Sequence, residues 1–231
     1  MKFRILLVLS ICIAFAPVAA ILLFSKKDPS EVPRIKPAQI AKKLGLSATK
    51  QPKDIKEVIK TRKCVGCDLR NANFSGADLQ NADFRNSNLS GANLTKTRLN
   101  NAKLSGTNFR GAKLHYTDLD GTDLKDADLQ GADFTNAQML NISIERSDLT
   151  QAILDNAELR DSTLNQAKLK NTSLINTSLY GATIQEADLT GANFNGADLR
   201  YANLLKSIDK GTNYSNAKFD YTVMPDGSTR M

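Results

Sequence analysis

The chain has 231 residues and a formal net charge of +7, with three cysteines and one histidine. The charge is uneven, because residues 26–63 hold 12 Lys and Arg against 4 Asp and Glu, whereas residues 64–220 hold 16 against 19. Only one Cys-X-X-Cys motif is present, and the only histidine, His115, lies far from it in the sequence, which argues against a four-ligand zinc site. The net charge of −3 over residues 64–220 also argues against a basic nucleic-acid-binding surface there.

Residues 5–24 form an uncharged apolar run with basic residues on both flanks. A helix of this length spans about 30 Å, the thickness of a bilayer core, so we predict a single-pass transmembrane anchor within residues 1–25. A cleaved signal segment is the alternative, because Val18-Ala19-Ala20 resembles a small-residue cleavage site. In either case the membrane is one partner of this chain.

A basic connector, residues 26–63, follows the apolar run. It is either a solvated linker or a segment that meets anionic phospholipid head groups. No aromatic residues interleave with its lysines, so nucleic-acid binding is disfavoured here too. Two short helices are predicted, over residues 37–44 and 52–62. We expect residues 53–62 to cap the apolar end of the domain that follows.

A five-residue period occupies residues 64–224. Every fifth residue from Leu69 to Leu204 is large and apolar, giving 28 positions with 20 Leu, 5 Phe, 2 Ile and 1 Met. Two residues before each lies Ala, Ser, Thr or Cys in 27 of 28 cases, and Ile142 is the exception. A period of five fits neither an α-helix nor a flat strand, so the chain must turn a corner every five residues.

Four corners close a square coil of 20 residues, and coils can stack at the spacing of β-pairing, about 4.8 Å. The two apolar positions of each pentapeptide then point inward. The position two after each large residue is Asn, Gly or Asp in 20 of 28 cases, residues that tolerate the left-handed backbone of tight turns. The sequence therefore predicts an all-β solenoid of about 7–8 coils by this spacing, with an apolar N-terminal helix and a short capping helix.

Tandem Ala-(Asp/Asn)-(Leu/Phe) units resemble the pentapeptide-repeat family, as in Ala77-Asp-Leu79, Ala132-Asp-Phe134 and Ala197-Asp-Leu199. The resemblance implies a right-handed quadrilateral β-helix, and the two ends of the repeat region are similar to cyanobacterial members. Membrane-targeted members of the family resemble exported or lumenal proteins, so together with the predicted single-pass anchor the resemblance implies a periplasmic or thylakoid-lumenal repeat domain. A cleaved signal with a soluble lumenal or periplasmic product is the alternative location. The basic residues that follow residue 24 favour a cytoplasmic domain instead, so the orientation stays open.

The function expected from these features is that of a non-catalytic scaffold that binds a protein partner. No nucleophile–base pair, phosphate-binding loop, cofactor motif or metal-ligand cluster is present, and a filled interior leaves no small-molecule pocket. One alternative is DNA mimicry of the kind by which some family members protect gyrase, although a net −3 is weak for a mimic. A homo-oligomer is compatible with all of these interpretations.

Cys64 and Cys67 form a Cys-Val-Gly-Cys motif on the inward registers of the first coil. Core packing is the simpler interpretation, and a disulfide in an oxidising compartment is the alternative. Such a disulfide would make a lumenal or periplasmic redox-responsive protein the second alternative function.

Two stretches weaken the period. Residues 138–154 place Leu140 and Ile153 at outward positions, which predicts either a locally swollen coil or a partner surface formed by these two residues. Residues 205–213 put Asp209 on an inward register, which predicts a loop before a terminal coil. Beyond residue 224 we expect a short tail, 225–231, with residues 228–231 frayed.

Overall fold

The computed structural model describes residues 54–231. Within them the backbone forms the helix α1 (Ile55–Thr61), a series of stacked coils, and a hairpin of β1 (Thr222–Val223) and β2 (Thr229–Arg230). The predicted apolar segment 5–24 and the predicted helix 37–44 lie outside the described residues. No helix within residues 54–231 is long and apolar enough to cross a membrane.

Parallel β-bridges join residues that are twenty apart, so each coil takes 20 residues and has four sides. The first ladder begins at Lys63 and continues every twenty residues to Val223. A side consists of one ladder position and the corner that follows it. We name each of the four sides after the first residue of its ladder: Lys63, Asp68, Asn73 and Asp78.

Each pentapeptide makes backbone hydrogen bonds in both directions along the column. The Leu89 N–H donates to the Asn108 carbonyl in the next coil at 2.7 Å, and the Asn88 N–H donates to the Cys67 carbonyl in the previous coil at 2.8 Å. The Ala92 N–H closes the turn by donating to the Leu89 carbonyl at 3.0 Å. Because this pattern recurs along the ladders, the polar backbone of the interior is satisfied.

The two inward registers form the core, as the period predicts. All 28 large residues from Leu69 to Leu204 are at most 1% exposed. At about 1.5–3 kcal/mol for each fully buried Leu or Phe, this burial is the main stabilising contribution to the column. Outward positions contribute little to the core, so burial does not restrict their residue type.

Corner residues adopt left-handed backbone at all 28 positions two after a large residue. Gly91, with a φ of 66°, shows why glycine is common there: a Cβ atom would also meet the side-chain amide of Asn71 in the previous coil. Eight corners nevertheless carry other residue types. Among them are Tyr116 and Tyr201, with φ of 55° and 59°.

Helix α1 precedes the first coil and begins at Ile55, whereas the sequence predicted a helix from residue 52. Asp54 is its N-cap and accepts a hydrogen bond from the Lys56 N–H at 2.9 Å. Val58 is buried in the same core cluster as the large register. Arg62 ends the helix with a φ of 52°, and its guanidinium lies 2.8 Å from the Asp78 carboxylate.

Two irregularities predicted near the C-terminal end are absent from the described residues. The loop expected at 205–213 is wrong, because bridges join Asp188 to Ile208 and Asn193 to Asn213 at the normal spacing. Asp209 is exposed there, since no further coil stacks on it. The frayed end expected at 228–231 is also wrong, because β2 pairs antiparallel with β1. Arg230 stacks on the ring of Phe219, with its guanidinium carbon 3.9 Å from the ring centroid.

Residues 138–154 keep the regular bridge pattern, so the ladder shows no bulge. Ile142 replaces the usual small residue and is 2% exposed. The large positions on either side of it are Met139 and Ile144 rather than Leu or Phe. An unbranched Met side chain adapts to irregular gaps. Met139 can therefore adjust to the larger Ile142 side chain while the bridge ladder stays continuous.

Hydroxyl residues on the small register join neighbouring coils. The Thr117 hydroxyl donates to the Leu94 carbonyl at 2.9 Å, and the Thr97 hydroxyl donates to the Phe74 carbonyl at 2.7 Å. Thr122 is the exception: its buried hydroxyl makes no hydrogen bond to any residue within 54–231. A buried hydroxyl without a partner is destabilising.

We therefore expect opposite effects from the same substitution at two neighbouring threonines. Thr117→Val removes a buried hydrogen bond and should lower the free energy of unfolding by about 1 kcal/mol. Thr122→Val keeps the shape and removes an unsatisfied group, so it should leave stability unchanged or raise it by about 1 kcal/mol. Denaturant unfolding of both variants measures the difference, and equal losses would contradict the hydrogen-bond assignment.

Candidate interaction surface

Three tyrosines form an exposed ladder on one corner of the column. Tyr180, Tyr201 and Tyr221 lie in successive coils at the corner of the Asp78 side. Ring centroids are 5.1 Å apart between Tyr180 and Tyr201, and 5.6 Å apart between Tyr201 and Tyr221. The three residues are 36%, 46% and 55% exposed. We call these three residues the tyrosine corner.

The backbone at this corner is unfavourable for tyrosine. Tyr201 and Tyr221 have φ of 59° and 49°, where left-handed backbone costs an L-residue roughly 1–2 kcal/mol. Gly, Asn or Asp occupies most equivalent corners. Two tyrosines twenty residues apart at such positions are therefore a signal in the sequence that is separate from the apolar five-residue period. Folding alone would favour Asn or Gly here.

Charged groups surround the tyrosine corner. The guanidinium carbon of Arg200 lies 5.5 Å from the centroid of the Tyr180 ring. Arg200 also forms two hydrogen bonds to the Asp198 carboxylate, of 2.9 and 2.6 Å, and these lower the pKa of Asp198. The nearby Asp220 carboxylate raises the pKa of the Tyr201 phenol. The corner thus presents tyrosine rings beside an arginine that is paired with an aspartate, and tyrosine and arginine are both enriched at protein interfaces.

The residues predicted as a partner surface do not lie together. Leu140 is half-buried at the corner of the Asp78 side, two coils before Tyr180, and its N–H donates to the Asp120 carboxylate at 2.8 Å. Ile153 is 37% exposed and lies on the Asn73 side. The structure therefore places the two residues on different sides and offers no single patch that contains both.

Cys64 and Cys67 are joined by a disulfide, with their Cα atoms 5.5 Å apart. Both are in the core, 8% and 2% exposed, as the inward register predicts. The Ser87 hydroxyl donates to the Cys64 carbonyl and accepts from the Cys67 N–H, at 3.1 Å for the second bond. The disulfide therefore lies in the first coil, shortly after the end of α1.

We predict that full-length protein, denatured without reductant, shows at most one free thiol, that of Cys12. Reduction should lower the free energy of unfolding by about 2 kcal/mol at most, because the closed loop is short. The double variant Cys64→Ala/Cys67→Ala should not respond to reductant, which makes it the control. Three free thiols in unreduced protein would contradict the disulfide.

Other chemistry-bearing residues do not form a reactive site. His115 Nε2 lies 3.3 Å from the Asp133 carboxylate on the surface, with no nucleophile in the pair. No group of three or more His, Cys, Asp or Glu among residues 54–231 could hold a metal ion. A shallow depression at the C-terminal end is lined by Asp209, Asp226 and Arg230 among others, and Asp226 bonds within its own turn to Ser228.

These features define the class of protein: a β-helical solenoid whose side chains fill the interior and whose surface carries the variable residues. The chain matches the family model for pentapeptide repeats, with eight copies in the segments 67–106, 102–141, 142–179 and 177–207. These segments cover more than half of the chain, which therefore belongs to the pentapeptide-repeat family. Membership implies that its β-helix is right-handed.

Solved structures with similar chains are also pentapeptide-repeat proteins. HetL, involved in heterocyst differentiation regulation in the cyanobacterium Nostoc sp. strain PCC 7120, is 24% identical over 85% of this chain and 100% of its own, with a TM-score of 0.39. QnrB1, a plasmid-mediated fluoroquinolone resistance protein, is 21% identical over 68% of this chain and 91% of its own, with a TM-score of 0.46.

A protein from the Arabidopsis thaliana thylakoid lumen is 29% identical over 56% of this chain and 66% of its own, with a TM-score of 0.20. Because all three TM-scores lie below 0.5, these likenesses carry no inference about what this chain does. No curated protein matches the chain.

Proposed function

We propose that this protein is a non-catalytic scaffold, tethered to a membrane or exported across one, which binds a protein partner through the tyrosine corner. The observation that carries the proposal is the pair Tyr201 and Tyr221 at left-handed corners, where folding favours Asn or Gly. Exposed residues held in an unfavourable backbone conformation often mark a functional site. Tyrosine suits this role because its ring is large and amphipathic and loses little conformational entropy.

The remaining surface supports binding rather than catalysis. The interior is filled by the large register, so the column offers no enclosed cavity among those residues for a small substrate. Solenoids commonly bind partners along their extended surfaces. DNA mimicry has little support from the charges, because the rod carries 16 basic against 19 acidic residues over 64–220.

The proposed location rests on two observations: the sequence of residues 5–24 supports a membrane segment, and the disulfide supports an oxidising compartment. The apolar run is long enough to span a bilayer. Disulfides persist mainly in oxidising compartments, so the Cys64–Cys67 bond supports a periplasmic or lumenal repeat domain. A redox-responsive role is a second candidate function, favoured by the same bond, since it lies beside the helix that caps the column.

The tyrosine corner is tested with substitutions that the fold prefers. In Tyr201→Asn/Tyr221→Asn, Asn fits the left-handed corners but the ring contacts are lost, so the free energy of unfolding should change by less than about 2 kcal/mol. After chemical cross-linking in native membranes, the band that joins the protein to its partner should be at least tenfold weaker for this variant than for the parent protein. Gln151→Asn, at a left-handed corner of the Asp68 side, is the control and should keep the band.

Undiminished cross-linking in a folded double variant would rule the tyrosine corner out as the binding surface. Loss of the band in the Gln151→Asn control as well would show that the assay reports folding rather than a specific contact.

The intact mass of the mature protein tests the membrane segment. Because cleavage after Ala20 would expose the apolar stub Ile21-Leu-Leu-Phe24, we expect the uncleaved chain beginning at or next to Met1. The uncleaved protein should be extracted from membranes by detergent but not by alkaline carbonate. A mature chain that begins at Ile21 and is released without detergent would show instead that residues 1–20 are a cleaved signal and that the product is exported and soluble.

A further inference from the structure

The Asn73 side differs from the other three sides in how its charges are ordered. It comprises eight successive four-residue segments, 73–76, 93–96 and so on to 213–216. Its only Lys, Arg, Asp and Glu residues are, in order along the column, Lys96, Lys113, Asp133 and Asp155. Two basic coils are thus followed directly by two acidic coils, and the remaining coils of this side carry no charged residue of these types.

The other sides mix the two signs, either within single coils or between adjacent coils, as in the Arg110–Asp128 pair at 3.2 Å on the Asp68 side. Arg70 pairs with Asp68 at 2.6 Å on the Asp68 side, and Arg85 pairs with Asp83 at 2.8 Å on the Lys63 side. Such pairs neutralise each other locally. They leave no long-range order of charge along those sides.

Both lysines of the Asn73 side are exposed, and no ion pair within residues 54–231 holds either one. The carboxylates are bound by groups that bear no fixed positive charge. Asp155 accepts from the Ile175 N–H at 3.0 Å and from the Ser173 hydroxyl at 2.5 Å. Asp133 accepts from the Thr135 N–H and faces His115, which is charged only when protonated. Apart from the contact with His115, no ion pair within residues 54–231 therefore holds these four charges, although Lys113 and Asp133 are bridged neighbours in adjacent coils.

We propose that the Asn73 side binds the Asn73 side of a second copy of this chain, with the two columns antiparallel. A two-fold axis in the plane of contact, perpendicular to the columns, would pass between the coil of Lys113 and the coil of Asp133. This axis reverses the order of the coils but keeps each corner opposite the same corner. Lys113 then lies opposite the partner's Asp133, and Lys96 lies opposite the partner's Asp155.

Each of the two kinds of ion pair occurs twice because of the two-fold symmetry, so the interface contains four ion pairs. Both copies have the same coil spacing, and so a match at one pair brings the next pair into register. A parallel arrangement with the coils level would instead place lysine opposite lysine and aspartate opposite aspartate, which is repulsive.

Uncharged residues around the four charges permit close approach. Tyr116 is 58% exposed and Ile153 is 37% exposed on the same side. Tyr116 lies in the coil of Lys113, and Ile153 lies in the coil of Asp155. Asn73, Ser75 and Ser173 occupy the outer coils. The interface is an isologous contact of modest size, in which charge sets orientation and salt should weaken association. It lies on a different side from the tyrosine corner, so it goes beyond the proposed function and does not depend on it.

The test uses full-length protein in a neutral detergent that is density-matched to the solvent, so that sedimentation equilibrium reports protein mass alone. We expect a monomer–dimer equilibrium whose Kd rises at least tenfold between 50 mM and 500 mM NaCl. Lys96→Glu/Lys113→Glu and Asp133→Lys/Asp155→Lys should each weaken the dimer at least tenfold at 50 mM NaCl. An equimolar mixture of these two variants should form a heterodimer at least as tight as the parent dimer.

Matched controls separate this contact from net charge and from misfolding. Lys103→Glu/Lys210→Glu makes the same change in net charge on other sides and should leave the Kd unchanged. Asp133→Asn/Asp155→Asn keeps acceptor oxygens for the local hydrogen bonds and should still weaken the dimer. A monomer at all salt concentrations, a dimer that survives both charge reversals, or a mixture that fails to associate although both variants are folded would overturn the proposal.

Discussion

A left-handed residue at every corner is the constraint on which the rest of this structure depends. Without it the chain could not turn four times in twenty residues, and residues twenty apart could not form the bridges that join the coils. The hydrogen bonds and the core both follow from this geometry, because the same turns direct two of every five side chains inward. The intrinsic conformational cost of the corners is distributed over the column and offset by burial of the large register.

The period of five was sufficient to predict the inward residues, because burial is dictated locally by the repeat. The helix before the first coil was predicted separately, from the helical spacing of apolar residues within 52–62. The period misled at Asp209, where an inward register holds a charged residue without a break in the ladder. The backbone bonds maintain the coil there, and the end of the column leaves the carboxylate in solvent. Side-chain identity is thus a weaker guide at the ends of a solenoid than in its middle, since an end position has a neighbour on one side only.

The candidate surfaces were harder to predict, for a related reason. Leu140 and Ile153 are apolar at outward positions, which predicts a contact surface, but apolarity alone does not show which side of the column a residue occupies. Tyr201 and Tyr221 are revealed by a conflict between residue type and backbone conformation, which becomes visible only when the corner is known to be left-handed. The charges of the Asn73 side become ordered only when residues are grouped at intervals of twenty.

The four-sided coil also separates two kinds of change in the sequence. Insertion of a whole coil of twenty residues would lengthen the column and keep every later residue on its own side. Insertion of a single pentapeptide would satisfy the interior equally well, yet it would rotate everything beyond it by a quarter turn. The number of pentapeptides between Lys113 and Tyr201 therefore sets the angle between two surfaces that never touch, and relative orientation in this protein is encoded by length rather than by contact.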